Sequence, residues 1–208
     1  MPEKMPQGTA PTEWHCGMTT ESELYRWVYK RRGLLMAPLV LAMFLCRWHE
    51  AEQDWFIFPL GGAVFAAGLL LRVWAQTHLH HRLKVKMELT TTGPYRHVRN
   101  PLYIGNTLMR IGLSVLMELL WLVPIVLVYC AVVYMLVVRD EERRLESEYG
   151  AHYREYSRQV PRWMPLARAE AAPLNPPAIA FLGASIIAEA HNLLWLILPL
   201  AKELVPLG

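Results

Sequence analysis

Charge and cysteine are both scarce in this chain, and each scarcity excludes a class of protein. Charged residues make up 19% of the 208 residues and hydrophobic residues 54%, a balance that is more apolar than in a typical soluble domain. The three cysteines, Cys16, Cys46 and Cys130, are scattered and form no CxxC pair, so the sequence predicts no disulfide framework. A net charge of +3 is too small to indicate a nucleic-acid-binding protein.

Several other sequence patterns are also missing. The first thirty-odd residues are mainly polar, so a cleavable signal peptide is not predicted. No glycine-rich nucleotide-binding motif and no internal repeat is present. His78, His80 and His81 are clustered, but no cysteine or acidic residue has the spacing that would complete a metal site, so we predict none. The length suits one compact unit.

The apolar residues lie in long runs that begin and end near Arg, Lys and Trp, a pattern typical of membrane-spanning helices. Three of these runs predict spans over residues 27–48, 55–74 and 178–200. The second of them carries small residues that would let neighbouring helices approach closely. These residues are Gly61, Gly62 and Gly68.

The longest apolar stretch, residues 102–138, exceeds the length of one span. As a single helix it would extend about 55 Å, nearly twice a hydrocarbon core of about 30 Å. The polar Glu118 therefore indicates a turn between two antiparallel helices, roughly 102–117 and 120–138. Helical spacing of Glu, Arg and Leu predicts that the second helix continues out of the membrane through Tyr149. The sequence thus predicts an all-α polytopic membrane protein with about five transmembrane helices.

Lys and Arg are concentrated before the first span, in the loop 76–100 and in the segment 139–168. By the positive-inside rule these segments and the N-terminus are predicted to be cytoplasmic, in a bacterial-type inner membrane or another cellular membrane. The predicted organisation has four parts. They are a tail with an interfacial helix (1–32), the first two transmembrane helices (33–75), a core with a loop, the hairpin and a polar segment (76–165), and a linker with the last transmembrane helix (166–208).

Residues 93–101 combine a Gly-Pro-Tyr turn with the start of a helix. Pro101 suits the first helical turn, and Asn100 can cap it. The free N–H groups and the positive dipole at this helix start would bind an anion or a carboxylate, and Arg99 adds positive charge. The alternative is a turn at the membrane surface whose arginines contact lipid phosphates.

Four charged residues, Arg139 to Glu142, follow the second helix of the hairpin. Because the hairpin returns the chain to the membrane face of Asn100, Glu141 and Glu142 could pair with arginines or bind a ligand's amino and hydroxyl groups. A solvated helix face is the alternative. Aromatic side chains at this face could bind a sulfonium cation or form an interfacial belt. They are Tyr95, Tyr103, Tyr149, Tyr153, Tyr156 and Trp163.

Polar residues inside the apolar runs are a further set of candidates, because a charge facing lipid is costly. Arg110 is expected to face a polar cavity or a partner. Glu189, His191 and Asn192 lie near the middle of the last run. We assign all four to acceptor-substrate binding, with hydrogen bonds between helices as the alternative for the last three.

Three segments in order closely resemble the isoprenylcysteine carboxyl methyltransferase family and its phospholipid methyltransferase relatives. They are TTGPYRHVRNPLYIG (91–105), EERRLESEYGAHYREY (141–156) and VPRWMP (160–165). The resemblance covers about residues 76–165 and leaves out the last span. It implies an all-helical membrane bundle that binds S-adenosylmethionine at its cytoplasmic end without a Rossmann domain, and releases S-adenosylhomocysteine.

The resemblance also assigns cofactor-binding residues. Those at matching motif positions are Tyr95, Asn100, Pro101, Leu102, Tyr103 and Glu141. Looser alignment adds His80, Met87, Glu88, Leu89 and Thr90. Arg99 joins this set because of its position at the predicted anion-binding helix start.

Two positions depart from the family pattern. Asn100 stands where the family has His, and Val137 stands where the prenylcysteine enzymes place an Arg, the nearest here being Arg139. The acceptor therefore stays open among an isoprenylcysteine carboxylate, a phospholipid amine and a small thiol. The oligomeric state also stays open.

We predict direct in-line methyl transfer to a lipophilic acceptor that enters from the lipid bilayer. A carboxylate acceptor needs no general base, whereas an amine or a thiol must lose a proton. His97, Glu142 and His191 are candidate bases, and Arg139 is a further candidate catalytic residue. An NADPH-dependent membrane reductase of the sterol-reductase type and a non-enzymatic membrane scaffold are the rival hypotheses.

Overall fold

The computed structural model describes residues 20–45, 54–81, 89–164 and 181–204. Within these ranges every regular element is helical, which confirms the all-α part of the predicted fold class. The helices are α1 (Thr20–Leu45), α2 (Asp54–His81), α3 (Pro101–Leu116), α4 (Val123–Tyr149), α5 (Ala151–Gln159), α6 (Leu182–Ala190) and α7 (Ile197–Leu204). Short 3-10 helices span Gly93–Arg96, Leu120–Leu122 and His191–Leu196.

Three stretches among the described residues are long and apolar enough to cross a membrane: Trp55–Leu79, Leu120–Tyr149 and Leu182–Ala201. A shorter apolar stretch, Leu34–Leu45, lies in α1. The 16 residues of α3 extend about 24 Å, less than a hydrocarbon core of about 30 Å. Three of the five predicted spans therefore meet the criterion of length and composition, and those at α1 and α3 stay predictions.

Helix α1 is continuous across residue 33, and the division there between an interfacial part and a span stays a prediction. Its inner face packs on α4, because Met36 and Met43 join a buried cluster with Val126 and Val137. The Tyr129 hydroxyl of α4 also donates a hydrogen bond to the backbone carbonyl of α1 at Leu35. Burial of these apolar side chains fixes α1 along the hairpin.

Helices α3 and α4 form the predicted hairpin. The chain leaves α3 through a tight turn in which Glu118 has a positive φ of 61°. The Leu119 N–H donates to the Ser114 carbonyl at 2.9 Å, which satisfies a carbonyl at the end of α3. Helix α4 then continues to Tyr149, as predicted. The hairpin therefore brings the start of α3 back beside the polar half of α4.

Helices α2 and α3 meet at two pairs of glycines. A Cβ added to Gly68 would lie 2.7 Å from the Gly105 carbonyl oxygen, and one added to Gly61 would lie 3.0 Å from the Gly112 carbonyl oxygen. The helices thus approach closely at both points, as predicted for Gly61 and Gly68. The same prediction is wrong for Gly62, whose added Cβ would have no neighbour within 4 Å.

Candidate functional site

A cavity of ≈ 830 Å³ lies among helices α1 to α6. One part of its lining is apolar and comes from helices in or near the predicted spans, with Met36, Val40, Phe65, Met109 and Leu113 as members. The other part is polar and aromatic and comes from the turn before α3, from α4 and from α5. Its members include Tyr95, Arg99, Glu141, Glu142 and Tyr153.

Most of the residues predicted to bind the cofactor line this cavity. They are Leu89, Thr90, Tyr95, Arg99, Asn100, Pro101, Leu102, Tyr103 and Glu141. Met87, Glu88 and the side chain of His80 lie outside the described residues. The structure thus brings together segments of the chain that are about forty residues apart in sequence, while their binding role stays a prediction.

The turn before α3 depends on Gly93, which has a φ of 61°. A Cβ at this position would lie 2.6 Å from the imidazole of His78 on α2, so a larger residue would clash as well as strain the backbone. The His97 N–H donates a hydrogen bond of 3.1 Å to the Pro94 carbonyl oxygen, which closes the turn. Close packing of this turn against α2 places Tyr95 in the cavity wall.

Asn100 stands at the N-cap position of α3, and Pro101 opens the helix as predicted. The side chain of Asn100 makes no capping hydrogen bond, so the predicted capping role of this side chain is wrong. Its Nδ2 instead donates to the Arg162 carbonyl at 3.3 Å, and the Arg99 N–H donates to the Pro161 carbonyl at 2.9 Å. These bonds fix the 160–164 segment against the start of α3.

Tyr103 and Glu141 link the two arms of the hairpin. The Tyr103 hydroxyl donates a hydrogen bond of 3.0 Å to Oε2 of Glu141, and its ring lies 4.9 Å from that of Tyr134 between centroids. A carboxylate that accepts a hydrogen bond from a fixed phenol is held in one orientation. Glu141 is therefore positioned in the cavity wall by the fold itself.

Glu142 is held by two arginines. Arg99 Nη1 lies 3.0 Å from its Oε1, the Arg162 Nε donates to Oε1 at 3.0 Å, and the Arg162 Nη2 donates to Oε2. The hydrogen bond to Glu142 raises the pKa of the Arg162 guanidinium above its usual value. Sequence reasoning missed Arg162, although it belongs to the VPRWMP segment that carries the family resemblance.

Three tyrosines line the polar part of the cavity, of which Tyr95 and Tyr153 are buried and Tyr156 is half-buried. Burial raises the pKa of Tyr153 to about 12, and burial also raises the pKa of Tyr95 and Tyr156 above the ordinary phenol value. The Tyr156 hydroxyl donates to the Tyr95 carbonyl at 2.7 Å. These phenols stay neutral at physiological pH, so they supply aromatic faces and hydrogen-bond donors.

Arg72 and Glu189 connect α2 to α6 beside the cavity. The Arg72 Nε lies 2.7 Å from Oε2 of Glu189 and Nη2 lies 2.9 Å from Oε1, while Arg72 Nη1 donates to Oδ1 of Asn106. The Asn192 Nδ2 donates to Oε2 of the same carboxylate at 2.6 Å. Sequence reasoning assigned neither Arg72 nor Asn106 to the site. Arg72 could have been found, because an arginine inside an apolar run is costly unless it has a polar partner.

The predicted acceptor-binding residues Arg110, Glu189, His191 and Asn192 all line the cavity. Arg110 Nη1 donates to the Asn106 carbonyl at 2.9 Å, and its guanidinium lies 5.9 Å from the ring centroid of Tyr134. Glu189 also makes the contact between helices that was its alternative role, through Arg72, whereas Asn192 bonds to Glu189 within its own segment. His191 is exposed, with its Nδ1 2.7 Å from the Ala188 carbonyl oxygen.

Two predicted catalytic residues, His97 and Arg139, do not line the cavity. The His97 ring lies 6.5 Å from the Trp74 ring between centroids, and Arg139 is exposed on α4. His78 is buried, and its Nδ1 lies 3.0 Å from the Trp74 carbonyl oxygen. No group of three or more His, Cys, Asp or Glu that could hold a metal ion is found among the described residues.

Comparison with known proteins identifies a family for most of this region. The sequence pattern of the family described as Phospholipid methyltransferase matches residues 56–152, which include nearly all of α2, the hairpin and all of α4. The chain is 28% identical over 174 residues to the cobalt-zinc-cadmium resistance protein CzcN of Cupriavidus metallidurans, covering 76% of this chain and 79% of that one.

The chain is also 30% identical over 174 residues to the nickel-cobalt-cadmium resistance protein NccN of Alcaligenes xylosoxydans xylosoxydans, and the match covers 74% of this chain and 80% of that one. No solved structure matches the chain significantly. With this similarity, and with the family pattern covering most of the residues that line the cavity, the chain belongs to the phospholipid methyltransferase family, the family of isoprenylcysteine and phospholipid methyltransferases.

Proposed function

We propose that the protein is an integral membrane methyltransferase that transfers a methyl group from S-adenosylmethionine to a lipophilic acceptor. The observation that carries this proposal is a cavity in which a polar, aromatic part is continuous with an apolar part. Its volume of ≈ 830 Å³ lies in the range of about 300–1,000 Å³ that is usual for ligand sites. Two chemically different ligands therefore have suitable surroundings in one space.

The polar part suits the donor. Buried polar atoms usually have hydrogen-bond partners, yet Thr90 Oγ1 and Arg99 Nε are buried without one among the described residues, and both side chains line the cavity. Glu141 would accept hydrogen bonds from amino or hydroxyl groups, and the tyrosine rings would stabilise a positive sulfonium. The bound donor supplies an electrophilic methyl group, and these residues would hold it in place.

The apolar part suits an acceptor that enters from the bilayer. Phe65, Met109 and Leu113 line it from α2 and α3, and Met36 and Val40 line it from α1. Such a surface would bind a hydrocarbon chain and exclude water from the reacting atoms. Alignment of the two molecules is then the main contribution that the chain can make to the rate.

The printed names of two relatives refer to resistance to cobalt, zinc, cadmium and nickel. No cluster that could hold a metal ion is found in the part of the chain that the structure describes. A role in metal tolerance would then act through a methylated product.

The experiment uses the full chain, purified in detergent, with methyl-labelled S-adenosylmethionine and a lipid extract of host membranes. Transfer of label to a lipophilic product is expected, together with thermal stabilisation by S-adenosylhomocysteine. Stabilisation by NADPH instead would support the reductase hypothesis. Absence of both labelled product and stabilisation by S-adenosylhomocysteine would reject the methyltransferase proposal.

A further inference from the structure

The C-terminal segment, residues 182–204, completes the cavity although it lies beyond the family pattern at 56–152. Ala188, Glu189, His191, Asn192 and Trp195 all line the cavity. The segment is fixed to the family core through Glu189, which is only 3% exposed and is bound by Arg72. Its position beside the reacting space is therefore part of the fold.

Within this segment, Glu189 and Asn192 already use their polar atoms. Both oxygens of Glu189 accept hydrogen bonds from Arg72, and Oε2 also accepts one from Asn192. Both carboxylate oxygens are therefore occupied by contacts within the protein. These two residues therefore serve to position the segment.

His191 differs from Glu189 and Asn192 because one of its ring nitrogens can still accept a proton. Among the described residues, its Nδ1 has one hydrogen-bonding neighbour, the Ala188 carbonyl oxygen at 2.7 Å. A carbonyl oxygen can only accept a hydrogen bond, so Nδ1 carries the proton that it donates. In the neutral imidazole the other nitrogen, Nε2, then carries a lone pair. Because the side chain is exposed and lines the cavity, this lone pair is available to a molecule bound there.

The other candidate bases are less suited to accept a proton. Glu142 is neutralised by two arginines. His97 does not line the cavity. The phenols of the polar part are neutral donors at physiological pH, because burial raises the pKa of Tyr153 and of its neighbours.

We infer that His191 is the general base of the reaction, and that the acceptor is an amine or a thiol whose nucleophilic atom carries a proton. This inference rests on the proposed methyltransferase function and names the acceptor chemistry for the same cavity. A carboxylate acceptor is already deprotonated at neutral pH and gives a base nothing to remove.

The proton and electron balance of the step is simple. The nitrogen or sulfur of the acceptor forms a bond to the methyl carbon while the bond between that carbon and the sulfonium sulfur breaks. The bonding electron pair stays on the donor sulfur, which becomes neutral. The acceptor's proton passes to Nε2 of His191, which becomes an imidazolium and later releases the proton to water.

The test compares wild type with His191→Gln and His191→Ala, using methyl-labelled S-adenosylmethionine and host membrane extract. Since general base catalysis contributes about 10²–10⁴-fold, the turnover of both variants should fall about 100-fold or more. Calorimetric affinity for S-adenosylhomocysteine should stay within about twofold of wild type. Added imidazole should restore part of the activity of His191→Ala.

The labelled product is then treated with alkali. A methyl ester would release labelled methanol, whereas a methylated amine or thioether would keep its label, which is the expected result. Release of labelled methanol, or unchanged turnover in His191→Gln, would overturn the inference. His152→Gln is the matched control, since His152 is exposed on α5 and does not line the cavity. If wild type transfers no label and binds no S-adenosylhomocysteine, the proposed function itself fails.

Discussion

Arg72 on α2 and Glu189 on α6 form an ion pair in which two guanidinium nitrogens lie 2.7 and 2.9 Å from the two carboxylate oxygens. The residues are 117 positions apart in sequence, and their side chains are only 16% and 4% exposed. The pair joins the family core to a segment outside the family pattern.

Breaking this pair should destabilise the protein strongly. Arg72→Met leaves the Glu189 carboxylate buried without its charged partner, with only the hydrogen bond from Asn192, which costs about 3–5 kcal/mol. The double variant Arg72→Met/Glu189→Leu should be more stable than either single variant, because neither charge is then left alone. Thermal unfolding in detergent measures both effects.

A matched control is the exposed pair Arg154–Glu146, at 3.6 Å with side chains 58% and 50% exposed. Glu146→Gln should have little effect on unfolding, since exposed ion pairs contribute about 0–1 kcal/mol. Equal losses for Glu146→Gln and Arg72→Met would contradict a special role for the buried pair.

The Tyr103–Glu141 hydrogen bond leads to a second prediction. Glu141→Gln should weaken the binding of S-adenosylhomocysteine about tenfold or more, because hydrogen bonds to a charged group contribute about 1.5–3 kcal/mol. Tyr103→Phe should weaken it less, since only the orientation of Glu141 is lost. Titration calorimetry measures both affinities.

The control is Glu155→Gln, the same chemical change at an exposed residue of α5. This variant should bind S-adenosylhomocysteine like wild type. If both Glu141→Gln and Tyr103→Phe bind S-adenosylhomocysteine with wild-type affinity, these residues do not belong to the donor site.

The glycine pairs between α2 and α3 lead to a third prediction. Gly68→Ala places a methyl group 2.7 Å from the Gly105 carbonyl oxygen, so the helices must separate and the protein should unfold at a lower temperature. Gly62→Ala has open space around its new methyl group and should raise stability by about 0.5–1 kcal/mol through helix propensity. The opposite order of stability would show that α2 and α3 do not approach as described.

The pKa of Tyr153 predicts how stability depends on alkaline pH. Its ordinary value of 10.0 is raised to about 12 by burial, so its contribution to stability is full below about pH 10. Between pH 10 and 12 the unfolded chain loses the phenolic proton while the folded chain keeps it, so the free energy of unfolding falls as pH rises. Tyr153→Phe should show a smaller fall across this window in chemical unfolding. An identical fall in both proteins would contradict the burial of the phenol.

Physical reasoning from length and spacing predicted the parts of the fold that depend on the bilayer. A 37-residue apolar stretch is too long for one span, so its length and the polar Glu118 predicted the α3–α4 hairpin. That hairpin places Asn100 and Glu141 in the wall of one cavity. The continuity of α1 was not predicted, because the charged and aromatic residues before residue 33 resemble an interfacial helix. Local composition does not show that α4 supplies a packing face for Met36 and Met43.

In the site, sequence reasoning found the residues that lie on motifs and missed those that act through distant pairing. In the sequence Arg72 only interrupts a predicted span, whereas in the structure it pairs with Glu189 of α6. In the sequence Arg162 resembles any other surface arginine, whereas in the structure the 160–164 segment packs on the start of α3 and Arg162 binds Glu142. The predicted cap at Asn100 was wrong for the same reason, since its side chain bonds to Arg162 rather than to its own helix.

The close approach of α2 and α3 restricts how a lipid-sized molecule can reach the cavity. At the Gly61–Gly112 and Gly68–Gly105 contacts, backbone lies against backbone, so no side chain can rotate to open a passage between these helices. We therefore expect entry from the bilayer on another side of the bundle. The side formed by α1 lines the cavity with Met36, whose unbranched side chain can change rotamer at low cost.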